Sequence, residues 1–171
     1  LKAALAQAAA EMGPVDVLVY NAGKGVWGDA LSIDEAAFED AWRLNAFGLF
    51  AAAREVLPAM LAKGQGAIVV VGATASRRGG AQTAAFAAAK GAQRLLTESL
   101  ARAYGPRGVH VGLLVIDAVV GEPLMRAKLA DRDESFFCMP HDIAAAAFAL
   151  VHQPPSAWTF ECDLRPFAET W

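Results

Sequence analysis

Lys90 stands in a run made mostly of alanine, TAAFAAAKGAQ over residues 83–93, with Phe86 one helical turn before it. Asn45 lies in LNAFG, 44–48, beside Leu44, Phe47 and Phe50. An Asn inside a helix competes for backbone hydrogen bonds and usually has another role, and these neighbours argue against a wet face. Thr74 and Ser76 fall in the polar loop ATASRRGGAQ, Asp117 follows an apolar run, and Asn21, Ala22 and Gly23 follow another. An amine, an amide, hydroxyls and a carboxylate can together hold a polar ligand and move a proton, if their pKa values lie near the working pH. Plainer readings stand beside this one: a snorkelling surface Lys90, a solvent-facing Asn45, an ordinary Asn-Ala-Gly turn, and a turn-forming Asp117. The only tyrosines are Tyr20, at the end of an apolar run, and Tyr104, five helical turns beyond Phe86. His141 opens a late helix and is expected to cap it or face solvent.

These residues must be positioned by alternating strands and helices. Residues 1–12 read as a helix ending at Gly13-Pro14. VDVLVY, 15–20, reads as a buried strand. Ser32 with Glu35 forms a capping-box pattern for a long helix, 33–62, with Pro58 as the expected bend. GAIVVVG, 66–72, is a second strand; 83–104 is a helix closed by Gly105-Pro106; VHVGLLVI, 109–116, is a third strand. Residues 117–139 are irregular with a short helix around 122–130. A further helix runs from Pro140 to about His152, and AWTFECDL, 157–164, is the last strand. Strands apolar on both faces and alternating with helices predict a single α/β domain over 1–171, a doubly wound parallel sheet with helices on both faces. Ligands of such sheets bind beyond the carboxyl ends of the strands, which selects the loops 21–30, 73–82 and 117–139.

Composition narrows the classes. The 171 residues are 56% hydrophobic and 19% charged, with a net charge of -3. That is a globular composition without an electrostatic case for nucleic acid or anionic membrane. The apolar stretches are interrupted short of a membrane span, so no membrane segment is expected. Cys138 and Cys162 lack metal-ligand spacing and fit a reducing compartment, which makes the cytoplasm the expected location and no metal site expected. The residues shown carry no signal-peptide pattern. The chain opens on Leu1 in mid-helix, and a longer natural protein is expected.

The ordered motifs resemble those of short-chain dehydrogenases/reductases across essentially the whole chain. LVYNAG, 18–23, is similar to the family's Asn-Asn-Ala-Gly motif with Tyr20 replacing the first Asn. LNAFG resembles its mid-helix Asn segment, GAIVVVGATAS the strand leading to its catalytic Ser, and FAAAK its Tyr-x-x-x-Lys. The resemblance implies a Rossmann-like fold and an NAD(P)-dependent oxidoreductase. The family's Gly-rich phosphate turn is absent, and VDVLVY matches its fourth strand, so strands one to three have no counterpart here. Without them that strand would leave an open apolar edge.

The resemblance also implies roles. Asn45 would anchor a water relay and Lys90 would bind the nicotinamide ribose, with a water linking the two, while Asn21, Ala22 and Gly23 would lie beside the cofactor. The general acid position, a Tyr in the family, is Phe86, and the Ser position is Ala73. Neither can exchange a proton. Thr74 and Ser76 are the nearest substitutes, and Asp117 stands where the family has Pro-Gly, near the nicotinamide ring, as a carboxamide acceptor or a proton acceptor. The expected cofactor is NAD or NADP, NADP by a small margin, since the deciding region follows a second strand not present here. The substrate is a small molecule, and Met125, Phe136, Phe137 and Met139 suggest an apolar lid and a hydrophobic substrate. The family's dimers imply a homodimer or homotetramer through helices 33–62 and 83–104, with Ala84, Ala85, Ala88, Ala89 and Ala92 as a close-approach face. Two rivals stand beside an oxidoreductase divergent at its acid: a pseudoenzyme that binds cofactor or oligomerises without turnover, and a structural subunit without a nucleotide site.

Overall fold

The computed structural model describes residues 1–169. Four parallel strands form the sheet in the order β1-β2-β3-β6: β1 Val17–Tyr20, β2 Gly66–Ala73, β3 Val109–Ile116 and β6 Glu161–Leu164. Every residue of β3 is buried, as a central strand covered on both faces requires. Alternate side chains serve two cores. Val109, Val111, Leu113 and Val115 join Ile68 and Val70 under α3 (Gly48–Lys63), α4 (Ala84–Tyr104) and Leu5 of α1 (Lys2–Met12). Val69 and Leu114 face Leu150 of α6 (Pro140–Val151) on the other side. The fold is the expected Rossmann-like doubly wound sheet.

β1 is an edge strand with Val17 and Val19 exposed, which corrects the reading of VDVLVY as a buried strand. Its hydrogen-bonding groups on that side have no strand partner among the described residues, the open edge expected from VDVLVY.

The long helix departs from expectation in two ways. Its cap is Asp34, whose carboxylate accepts the Ala37 N–H at 2.7 Å, while Ser32 turns back to the Asp29 carbonyl. The helix is also not continuous: α2 (Glu35–Trp42) passes through one π turn, Arg43–Phe47, into α3, and the Gly48 N–H bonds to the Arg43 carbonyl. The change of winding falls at Asn45; Pro58 lies within α3. Asn45 supplies its own repair, since its side-chain amide donates to the Ala41 carbonyl at 2.9 Å. Glu35–Lys63 is long and apolar enough by length and composition to cross a membrane, longer than the apolar stretches of the sequence suggest. Its inner face, including Leu49, Val56, Leu57 and Met60, is buried against the sheet and belongs to the core.

Of the alanines of α4, Ala85 and Ala89 are buried against Ala41 of α2 within the chain, while Ala88 is exposed and Ala84 and Ala92 are half-buried. The loop after β3 is more ordered than its sequence suggested. A two-stranded parallel pair, β4 (Val119–Val120) with β5 (Phe137–Cys138), closes it around α5 (Pro123–Lys128). The last strand, Glu161–Leu164, is shorter than AWTFECDL: Ala157 ends a 3₁₀ turn, Pro155–Ala157, and residues 158–160 precede the strand. Both cysteines are free.

Candidate active site

Register assembles the site. Ala73 pairs with Ile116, and Ile116 with Leu164, so the next residues of the three strands, Thr74, Asp117 and Arg165, emerge side by side at the carboxyl edge. The Thr74 hydroxyl donates to Asp117 Oδ1 at 2.5 Å. Asp117 also faces the guanidinium groups of Arg78 at 3.5 Å and Arg165 at 3.6 Å. Beyond Asp117 the charges continue outward. Arg165 pairs with Asp163 at 2.9 Å, Arg77 with Asp163 and Glu161, and Arg94 with Glu161 at 2.6 Å. Burial pushes the Glu161 carboxyl up, but Arg94 and Arg77 outweigh it and hold it below the usual range.

A second group sits on the β1 side. Lys90 is only 6% exposed, and its ammonium donates to the Val71 carbonyl at 2.9 Å and to Gln93 Oε1 at 3.0 Å. Burial lowers its pKa from 10.5 to about 8. Gln93, fully buried three residues on, donates to the Asn45 carbonyl at 2.9 Å and so joins α4 to the π turn. Asn45 is fully buried as well; its Nδ2 donates to the Lys24 and Ala41 carbonyls, and its Oδ1 has no partner among the described residues. A side chain's first carbon on Gly23 would stand 3.0 Å from Asn45 Oδ1 and 3.6 Å from Lys90 Nζ. A glycine there leaves the amide oxygen and the ammonium facing one small space beside Asn21–Gly23, which are exposed. An orphaned buried acceptor, a buried cation and a cleared backbone fit the ribose-and-water side of a nicotinamide nucleotide.

A pocket of about 480 Å³ lies on the Thr74 side. Ala73 and Phe86 line it, as do Thr74 and Met125. Phe86 packs against Trp27 with ring centroids 5.3 Å apart. Trp27 is brought there by Gly28, whose N–H and carbonyl bond to Gln82 and Ala84 at the head of α4. Phe86 thus presents phenyl carbon, and no proton-exchanging group, to this pocket.

The structure brings Asn45, Lys90 and Gly23 together, and brings Thr74 and Asp117 together. Ser76 serves the turn instead: its hydroxyl accepts the Ala73 N–H at 3.0 Å and, at 6% exposure, is closed to a ligand. Tyr20 is structural too. It is buried, its hydroxyl donates to the Leu44 carbonyl at 2.5 Å against Gly48, and burial raises its pKa. Tyr104 ends α4 and packs at the edge of the main core. His141 is exposed beside Asp142. Gln93, Arg165, Arg78 and Trp27 are participants that motif and spacing did not single out. Gln93 alone had a usable signal, lying one turn past Lys90 on the same helix face.

Residues 1–132 match the family model described as short chain dehydrogenase. The galactitol 2-dehydrogenase (L-tagatose-forming) of Cereibacter sphaeroides is 35% identical over 164 residues, which is 88% of this chain and 63% of that protein. A short-chain dehydrogenase structure from Rhodopseudomonas palustris superposes with a TM-score of 0.81 at 36% identity, over 97% of this chain and 68% of that one. A metagenomic short-chain oxidoreductase solved with NADP gives a TM-score of 0.80 at 25% identity, over 98% of this chain and 69% of that one. The chain belongs to the short-chain dehydrogenase family of oxidoreductases, and spans about two thirds of the length of these relatives.

Proposed function

We propose that the protein is an NAD(P)-dependent oxidoreductase divergent at its acid, which binds the dinucleotide and turns over small alcohols or carbonyls slowly. The observation that carries this is the convergence of Asn45 Oδ1 and Lys90 Nζ beside Gly23; in this reading Phe86 and Ala73, which line the pocket, stand where the family has its proton-handling pair. The nicotinamide dinucleotide, when bound, supplies or takes the hydride. Lys90 would hold the ribose hydroxyls, and Asn21, Ala22 and Gly23 would lie against the cofactor. Asn45 and Lys90 would hold a water between them, and this water is the proton source left on that side. On the other side Thr74 can accept a proton from a substrate hydroxyl while passing its own to Asp117, over the bond it already makes. A positioned general acid is worth roughly 10²–10⁴-fold in rate, and turnover should fall short of intact relatives by about that factor.

Fluorescence titration with NADH and NADPH tests the binding half. Saturable binding is expected, NADPH by a small margin, with Lys90→Met weakening it at least about tenfold, the loss of one charge-assisted contact. A folded protein, expressed with whatever its reading frame encodes before Leu1, that binds neither nucleotide would leave only the structural-subunit reading. A cofactor-binding pseudoenzyme is the second reading. The Phe86–Trp27 packing favours it, since the acid position has become part of an aromatic wall.

We also propose a homodimer or homotetramer through the faces of α2–α3 and α4 that look outward. Trp42 stacks on Phe47 at 6.1 Å, Phe47 meets Phe50 at 6.3 Å, and Leu95 is 64% exposed on α4. Aromatic rings in such a stripe are typical of a buried subunit contact. Sedimentation should give at least a dimer, and Phe47→Glu with Phe50→Glu should give monomer; a wild type that sediments as monomer at micromolar concentration ends this assignment.

A further inference from the structure

We propose that the pocket beside Phe86 is built for an aromatic carboxylate, a substrate class that rests on reading this pocket as the substrate side of the site. Its walls are apolar and ring-bearing: Trp27 and Phe86 lie 5.3 Å apart on one side, and Val119, Val120 and Met125 line another. The position of the missing acid has therefore become binding surface, and a thioether beside aromatic groups suits a flat ring. At about 480 Å³ the cavity is of a size that encloses a small organic molecule.

The charge at the rim specifies the rest. Arg78 lines the same pocket with a side chain 67% exposed, and among the described residues its one ion pair is the long one to Asp117 at 3.5 Å. Asp117 does not depend on it, having the Thr74 hydroxyl at 2.5 Å and Arg165 at 3.6 Å. Arg78 can turn to a ligand without leaving a buried charge unpaired. Its planar fork matches a carboxylate with two parallel N–H···O bonds. Asp117 stands close enough to penalise a dianion, which selects a carboxylate over a phosphate.

Calorimetric titration of the full chain with 2-naphthoate and with its neutral isostere 2-naphthamide tests this, with NADPH titrated into the same preparations. Submillimolar binding of the acid is expected, about tenfold tighter than the amide, as one charge-assisted contact provides. Arg78→Gln should erase the difference by weakening the acid alone. Trp27→Ala should weaken acid and amide alike, which separates the ring wall from the charge. Equal affinities for acid and amide in the wild type, or a preference that survives Arg78→Gln, would overturn the proposal. If NADPH binds and neither naphthyl compound does, the substrate class is wrong and the oxidoreductase reading stands. If the acid is selected and NADPH does not bind, the carboxylate site stands and the oxidoreductase reading falls.

Discussion

Placing hydroxyls back at the two substituted positions, by Phe86→Tyr with Ala73→Ser, is expected to raise alcohol–ketone turnover by roughly 10²–10⁴-fold, the range a positioned general acid contributes. The surroundings that such a tyrosine needs are in place. Position 86 lies one turn before Lys90 on α4, and the Lys90 ammonium is held from two sides, by Val71 and Gln93. A nearby buried cation favours phenolate and draws a tyrosine's pKa toward neutrality. The Ala73 backbone is fixed by Ser76 and by its pairing with Ile116, so an added hydroxyl would stand at a defined place in the pocket. Each change adds one oxygen to a side chain that already lines the cavity. The rate of nicotinamide oxidation or reduction with a panel of small alcohols and ketones is the measurement. A gain of that size means that the scaffold is intact and only the acid is gone. A double variant that folds, binds NADPH and gains nothing would mean that the Trp27–Phe86 wall has been rebuilt for binding, as the pseudoenzyme reading holds.

The contrast between what the sequence reveals and what it hides follows from the range of the interactions. β2 and β3 are readable because strands buried on both faces must be apolar throughout, and α4 because its closing Gly105-Pro106 is a local signal. Asn45 stands out as a polar residue among Leu44, Phe47 and Phe50. The π turn around it does not, since nothing in RLNAF distinguishes one extra residue per turn from an ordinary helix until Gln93, 48 residues away, takes the Asn45 carbonyl. Ser32 satisfies a capping pattern, but the cap itself is supplied by Asp34, two residues on. Thr74 and Asp117 are both visible as candidates, but their contact is made by strand register, and Arg165 joins them through a third strand. Ser76 misleads for the opposite reason: a hydroxyl three residues past a strand end is as apt to close the turn as to face a ligand. Trp27 reaches Phe86 only through the bridge from Gly28 to the head of α4, which no spacing encodes.

Lys90 should make folding stability depend on pH in a window where few other groups act. With its pKa lowered by burial from 10.5 to about 8, the folded and unfolded states both hold the proton below pH 8, and stability there is flat with respect to this group. Between about 8 and 10.5 the unfolded chain keeps the proton and the folded chain releases it, so stability rises with pH. The full rise corresponds to about 3 kcal/mol. Denaturant unfolding at intervals from about pH 7 to about pH 10 measures it, and Lys90→Met should lose the slope. Absolute stability is a poorer readout. The variant escapes the cost of a buried charge but leaves the Val71 carbonyl and Gln93 Oε1 without their donor, a loss of about 1–3 kcal/mol each that largely cancels the gain. Tyr20 and Cys138, whose pKa values burial raises from 10.0 and 9.0, oppose the trend at the upper end of this range; both are common to the two proteins and drop out of the comparison. Parallel pH profiles for wild type and variant would mean that the ammonium reaches water and is an ordinary surface lysine. A slope that vanishes with Lys90 would mean that the fold keeps a cation in its interior at a cost, which is the expected condition of a group retained for binding and not for stability.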